Sequence, residues 1–269
     1  MNILDGKDCY KTEQPRRGLI IDSLLLKSRW SFYLLCYLSI ARSGFWGLWG
    51  KLTVKKQVQC SSRNLDLIEQ LGGKWNISGL KNLDKADGAV MLIGNHMSML
   101  ETAAMPAIIA PHLKFTFVIK KTLMLVPFMS STMRAMQAIP ITRTNPREDF
   151  KTVLKEGKKL LNEGVSIAIF PQGTRTVDFN PDTFSTIGVK LAKAANAQVI
   201  PFALKTDFAA IKGLGKIKRN NTVCFAFGEP INVTGNGKEA HMKIIQFIEN
   251  NLNQWKEEQK VIDEAAAKK

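Results

Sequence analysis

Apolar and polar positions follow two different periods along this chain. Short, nearly unbroken apolar runs at 89–94, 115–119, 165–170, 199–204 and 222–227 read as strands buried on both faces. Between several of them the apolar positions move to helical spacing. From Arg147 to Glu163, the residues Phe150, Val153, Leu154, Gly157, Leu160 and Leu161 fall on one stripe, with Lys and Glu elsewhere. Gly164 then stands where a left-handed residue closes a helix. Phe184 to Asn196 predicts another helix with Ile187, Leu191 and Ala194 inward, and Asn236 to Trp255 predicts a final amphipathic one. Strands alternating with helices predict an α/β fold with a mostly parallel sheet flanked by helices, assigned to residues 65–258. Residues 259–269 are charged and alanine-rich and are set apart as a fraying tail.

Residues 1–64 break this pattern and form an N-terminal helical segment ahead of a polar connector near Ser61 to Asn64. Trp30 to Trp49 is largely apolar and aromatic, with Arg42 its one charge. Its length suits a bilayer crossing, but Gly44, Gly47, Arg42 and several serines make a poor spanning helix. Trp30, Tyr33, Tyr37, Trp46 and Trp49 suit the headgroup boundary, with Lys27, Arg29, Lys51, Lys55 and Lys56 against anionic lipid. One or two amphipathic helices in the plane of one leaflet is the preferred reading. A true span and a hairpin packed on the α/β domain stay open beside it.

The chain has 269 residues and a formal net charge of +15. That charge calls for an anionic partner: a membrane surface, phosphorylated substrates or nucleic acid. Aromatics do not interleave with the basic residues as a nucleic-acid stacking surface would need, so nucleic acid is set aside. Cys9, Cys36, Cys60 and Cys224 are too far apart to form a metal-ligand set or a disulfide framework, which places the chain in a reducing compartment with no metal expected. No secretory signal pattern opens the chain.

Candidate chemistry collects at strand ends. The run 89–93 is followed by Gly94-Asn95-His96-Met97-Ser98-Met99-Leu100-Glu101. An imidazole and a carboxylate five residues apart do not share a helix face. To meet, His96 must lie in the turn before a helix while Glu101 reaches back from its first or second turn. Glu101 would then fix the tautomer and leave the other ring nitrogen to take a proton from an attacking hydroxyl. A helix-capping histidine is the plainer alternative. Ala138 to Thr144 is an apolar run ending in Thr142 and Arg143. Phe170-Pro171-Gln172-Gly173-Thr174-Arg175-Thr176 follows another. Arg143 and Arg175 at separate strand ends suit the paired oxygens of a phosphate, Gly173 permits close backbone approach, and Thr174 offers a donor. Pro201 is odd inside a strand and implies an edge, a bulge or a ligand-facing break. Lys120 and Lys121 end a further strand and read mainly as solvated, with service to a phosphate-rich carrier as the other reading, while His112 and His241 have no evident partners.

Together these stretches resemble the glycerolipid acyltransferase family that includes lysophosphatidic acid acyltransferase. Asn95-His96 with Glu101 matches its first motif, Ile139 to Arg143 the second, Phe170 to Thr176 the third, and Val199-Ile200-Pro201 the fourth. Order and spacing agree over roughly 75–230. The resemblance implies a glycerol-3-phosphate acyltransferase-like fold, with His96 and Glu101 catalytic. Arg143, Gly173, Thr174 and Arg175 would bind the acceptor phosphate, supported by Asn95, Pro171, Gln172 and Pro201. It also implies acyl transfer from acyl-CoA or acyl-carrier protein to 1-acylglycerol-3-phosphate, with no other cofactor. The N-terminal helices would rest on an anionic membrane surface, making the protein peripheral or monotopic on the cytoplasmic face. Glu101 departs from the family's usual Asp, and Gln172 from its usual Glu. These leave open an acceptor such as a lyso-ornithine lipid, or a catalytically inactive lipid-binding relative. The intact Gly173-Thr174-Arg175 argues against a lipid A precursor.

Overall fold

A computed structural model describes residues 4, 6–14, 16, 18–210 and 213–267. Among them, eight strands form one sheet: β1 (Tyr10–Lys11), β2 (Lys74–Ser78), β3 (Met91–Gly94), β4 (Phe115–Lys120), β5 (Ile139–Ile141), β6 (Ser166–Ile169), β7 (Val199–Lys205) and β8 (Thr222–Phe227). Their order is β1-β2-β8-β7-β3-β6-β4-β5. From β7 to β5 every neighbouring pair is parallel, with Ile93 level with Ile169 on one side and Pro201 on the other. β8 runs antiparallel to β7, and β1 antiparallel to β2. The sheet is thus mostly parallel, with its carboxyl ends gathered along one edge.

Alternate side chains of the central strands enter two cores. Leu92, Phe117, Ile119 and Phe202 face α2 (Arg29–Leu48), α3 (Val54–Gln70), α4 (Leu100–Ile109) and α5 (Met129–Ala135). Met91, Ile93, Val118 and Ile167 face α6 (Pro146–Asn162), α7 (Ile187–Ala194) and α8 (Lys238–Ala267). A short α1 (Ile20–Leu24) precedes α2. The stripe on α6 buries Val153, Gly157, Leu160 and Leu161, and Gly164 follows it at φ +77°. On α7 the inward residues are Val189, Leu191 and Ala192, and Ala194 is exposed.

Three readings of the sequence are corrected. The polar connector at Ser61 to Asn64 lies inside α3, so a boundary after residue 64 falls within a helix. Two of its side chains bond a neighbouring helix: Ser61 Oγ donates to Ala103 O (2.6 Å), and Asn64 Nδ2 donates to Ala103 O (3.0 Å). Small side chains on α4 let those contacts form without a hydrated linker. The tail expected to fray from 259 continues α8 as far as Ala267. Its Glu, Lys and Ala residues are strong helix formers, and Lys260 bridges Glu257 at 2.7 Å. Pro201, finally, is not at a sheet edge, because β7 is paired on both sides. It sits where pairing to β8 stops: Phe202 is level with Phe227, and Pro201 O accepts from Gly228 N (2.8 Å).

The aromatic segment is the single helix α2, packed on α3 and α5 by one face. That face carries Phe32, Tyr33, Cys36, Ser39, Ser43 and Gly44. A Cβ on Gly44 would lie 2.2 Å from Phe128 O, so the close approach of α5 requires glycine there. Trp30, Leu34, Leu38, Phe45, Leu48 and Trp49 point outward and are exposed. Among the described residues, no helix is long and apolar enough to cross a membrane.

Candidate active site

β3 ends at Gly94, where a Cβ would meet the Phe202 ring at 2.3 Å; only glycine lets the chain turn there over β7. Asn95 locks the turn. Its Nδ2 donates to Leu204 O and its Oδ1 accepts from Leu204 N, both at 2.8 Å. Asn95 is therefore a buried staple between strand ends, and its amide does not face the cleft.

His96 occupies the turn before α4, and Glu101 lies in that helix's first turn. Glu101 Oε2 takes the hydrogen bond of His96 Nδ1. Its other oxygen, Oε1, accepts from Met97 N (2.8 Å), Ser98 N (2.5 Å) and Thr206 Oγ1 (2.5 Å). The carboxylate is fully buried, so each of these donors compensates the loss of water. With Nδ1–H committed to Glu101, Nε2 keeps its lone pair. The ring stacks on Phe170, with centroids 4.3 Å apart.

The Phe170–Thr176 loop, which follows β6, is tied to the His96 backbone by two hydrogen bonds and braced by a third within the loop. His96 N donates to Gln172 Oε1 (2.5 Å), Gln172 Nε2 donates to Thr176 Oγ1 (2.8 Å), and Thr176 N donates to His96 O (3.1 Å). An amide supplies the one acceptor and one donor this bridge uses, so the neutral Gln172 fits its place. Arg175 is brought beside the imidazole, its Nε 3.5 Å from His96 Nε2. Gly173 has φ +72°, and its carbonyl accepts from Arg143 Nη1 at 2.6 Å.

Arg143 follows β5 with φ +62°, a strained position for a side-chain-bearing residue. Asp149, on α6, holds it there by accepting from Thr142 N (2.8 Å) and Arg143 N (2.7 Å). Burial lowers the basicity of Arg143 and the neighbouring Arg175 charge lowers it further, while Asp149 opposes both. Burial alone would raise the Asp149 carboxyl, but the Thr142 and Arg143 N–H groups, the Thr142 hydroxyl and the Arg143 charge hold it below its ordinary value. Its stabilising effect is therefore present above the unfolded carboxyl's pKa and lost as the pH falls through the lower folded value. Asp149→Asn should lower the melting temperature at neutral pH, and the gap from the parent protein should close in acid. A gap that stays constant to low pH in thermal melts would show that Asp149 is not held as an anion.

His96, Lys120, Arg143, Phe170, Thr174 and Arg175 line one cleft of about 350 Å³ at the carboxyl edge of the sheet. Gly173 is not in its walls, its carbonyl being held by Arg143, while Pro171 is buried and Pro201 does not reach it. Lys120 thus parts from Lys121: it lies on the cleft, whereas Lys121 is exposed and outside it. A mostly apolar cavity adjoins the cleft, sharing Thr102, Ile119 and Leu123 with it. It runs among α2, α3, α4 and α5 and holds about 70 Å³, with Met129, Met133 and Met136 in its walls. His112 and His241 lie elsewhere. His112 Nδ1 pairs with Asp84 at 2.8 Å, and His241 stacks on Phe184 with centroids 5.8 Å apart. Thr206 is a site residue that sequence reading did not single out, and Phe170 enters that reading only as the start of its motif, without a role for its ring. Thr206 carried no local signal, since it arrives from the end of β7.

Residues 74–205 match the family model described as Acyltransferase, a span that takes in both the imidazole–carboxylate pair and the arginines. That stretch is an acyltransferase domain. The chain is 30% identical over 144 residues to a chloroplastic 1-acyl-sn-glycerol-3-phosphate acyltransferase of Arabidopsis thaliana, covering 54% of this chain and 37% of that protein. It is 28% identical over 178 residues to a 1-acyl-sn-glycerol-3-phosphate acyltransferase of Pseudomonas aeruginosa, covering 66% of this chain and 67% of that one. The chain therefore spans little more than a third of the plant protein it matches. Its fold is also that of the crystal structure of the 1-acyl-sn-glycerophosphate acyltransferase PlsC from Thermotoga maritima. The TM-score is 0.70 at 18% identity, over 88% of this chain and 97% of that one.

Proposed function

We propose that this acyltransferase moves a fatty acyl group from acyl-CoA or acyl-carrier protein to the free hydroxyl of 1-acylglycerol-3-phosphate, giving phosphatidic acid. The observation that carries the reading is one cleft in which a tautomer-fixed imidazole stands beside Lys120, Arg143 and Arg175. Three cations suit a phosphate monoester, and guanidinium forks suit its paired oxygens. Its phosphate would draw Arg175 off His96 Nε2 and let the acceptor hydroxyl take that position. Nε2 removes the hydroxyl proton as the oxygen attacks the thioester carbonyl. Glu101 steadies the imidazolium, which returns the proton to the departing thiol sulfur. The reading needs no acyl-enzyme, no metal and no cofactor besides the donor. The acyl chain would enter the adjoining cavity, whose unbranched methionines deform readily.

The test is a panel of lyso-lipids offered to purified protein with both donor types. Transfer to a lyso-ornithine lipid alone would replace the acceptor, and no transfer to any acceptor despite lipid binding would mark an inactive relative. Within that assay, Arg175→Ala should raise KM for a phosphorylated acceptor roughly tenfold or more, the worth of one charge-assisted contact. An equal effect on a neutral acceptor would remove the phosphate role.

Peripheral membrane binding is part of the same proposal. Its support is the outward stripe of α2, with Ile20, Leu24 and Leu26 exposed just before it. Replacing Phe45 and Trp49 together with serine should weaken co-pelleting with anionic vesicles at least about tenfold, because each ring contributes roughly 1.5–3 kcal/mol on burial. Unchanged pelleting would rule this surface out.

A further inference from the structure

A second cleft opens at the same edge of the sheet, on the opposite face. Arg143, Arg147, Phe150, Ile187 and Lys190 stand in its walls, and it holds about 640 Å³. Cofactor sites run roughly 300–1,000 Å³. It meets the His96 cleft at Val118, Arg143 and Phe170, which line both. Asp149 also lines it, but that carboxylate is taken up by the N–H groups of Thr142 and Arg143. Arg147 and Lys190 have no carboxylate partner among the described residues, and Lys190 Nζ lies 5.7 Å from the centre of the Phe150 ring. The cleft therefore sets two cations of its own, Arg147 and Lys190, against an apolar, aromatic wall, with Arg143 at its junction with the His96 cleft. A ligand that answers both features carries phosphates and a flat heterocycle.

Position narrows the choice further. The cleft lies on the face covered by α6 and α7, whereas the exposed apolar stripe belongs to α2 on the other face. A bilayer headgroup held against α2 would not reach it. If the thioester sits at His96 Nε2 and the acyl chain among α2 to α5, the rest of the donor must leave across the sheet edge. Gly173 lies there with open space where a side chain would be. We infer that this second cleft holds the 3′-phosphorylated adenine nucleotide of an acyl-CoA, which makes acyl-CoA, rather than an acyl-carrier protein, the donor this chain is built to take. The inference rests on the acyltransferase reading and assigns its donor.

Adenosine 3′,5′-bisphosphate is the probe, titrated calorimetrically into the purified full chain and into the double variant Arg147→Glu, Lys190→Glu. Both substitutions are at exposed helix positions, and a glutamate in the first turn of α6 suits the helix dipole, so folding is retained. Parent protein should bind the bisphosphate, and the variant should bind it at least about tenfold more weakly. KM for acyl-CoA should rise by a similar factor, while KM for the acceptor and turnover of an acyl-N-acetylcysteamine thioester, which has no nucleotide, stay as in the parent. Three results would overturn the inference: no bisphosphate binding by the parent, equal binding by parent and variant, or an equal loss with the truncated thioester. Transfer impaired from acyl-carrier protein but not from acyl-CoA would overturn it as well. Failure of the acyltransferase reading looks different: no transfer from any donor, with the titration still deciding whether the nucleotide binds.

Discussion

His96→Ala protein should fold, pellet with vesicles like the parent and transfer acyl groups about a thousandfold more slowly, the middle of the range for losing a general base. The ring's partners explain why the loss is chemical. Glu101 keeps three donors without it, from Met97, Ser98 and Thr206, and the loop stays tied through backbone and Gln172 contacts that alanine preserves. The substitution does leave Glu101 Oε2 without its imidazole partner, so His96→Gln, which fills most of the same volume, serves as the control. Both variants should show near-parental circular dichroism with kcat reduced to a similar level. Turnover at the parental rate in either one would remove the imidazole from the mechanism.

Much of this arrangement is legible in the chain because it is local. His96 and Glu101 are separated by a single turn, and their five-residue spacing already requires one of them to precede the helix. The five apolar runs became the five strands whose side chains fill both cores, since burial on two faces leaves a continuous apolar signature. β2 is different: Lys74-Trp75-Asn76-Ile77-Ser78 buries only two apolar side chains, too few to stand out as a pattern. β1 and β5 are shorter still. Thr206 is invisible for another reason. It reaches Glu101 across 105 residues, and nothing near it in the sequence marks a hydroxyl that will meet a buried carboxylate.

The aromatic helix shows how composition is legible while orientation is not. Composition puts Trp30, Tyr33, Tyr37, Trp46 and Trp49 at a headgroup boundary, yet α2 buries Tyr33 and turns Ser39, Ser43 and Gly44 inward, with Leu38, Phe45 and Trp49 outward. Close approach of α5 explains it, because the Gly44 contact with the Phe128 backbone leaves no room for a larger residue. A helix that spends its small side chains on its neighbours has large ones left for whatever lies outside. The polar stretch at Ser61 to Asn64 follows the same logic in reverse: the Ser61 hydroxyl and the Asn64 amide are partners for another helix, and composition alone cannot tell such partners from a linker.

Glu101→Gln should lower kcat by roughly 10²–10⁴ and also destabilise the fold, a combination His96→Gln should not show. The glutamine amide has one acceptor oxygen where the carboxylate has two, and the site presents donors to both. If the amide oxygen keeps Met97 N, Ser98 N and the Thr206 hydroxyl, its NH₂ faces His96 Nδ1 and forces the opposite tautomer, putting the proton on the nitrogen that must accept one. If the amide flips, the imidazole keeps its tautomer but two backbone N–H groups and a hydroxyl lose their acceptor in a fully buried place, at about 1–3 kcal/mol for each unsatisfied group. Either way the site loses something alanine at 96 does not take from it. Thr206→Val probes the same carboxylate more gently, removing one hydroxyl donor from Oε1 without touching the ring, and should cost about tenfold in kcat with the acceptor KM unchanged. Paired thermal melts and steady-state kinetics on the three variants decide the matter. A Glu101→Gln protein as active as the parent would mean that the imidazole needs no anionic partner, and Glu101 would then be only a cap for the turn into α4.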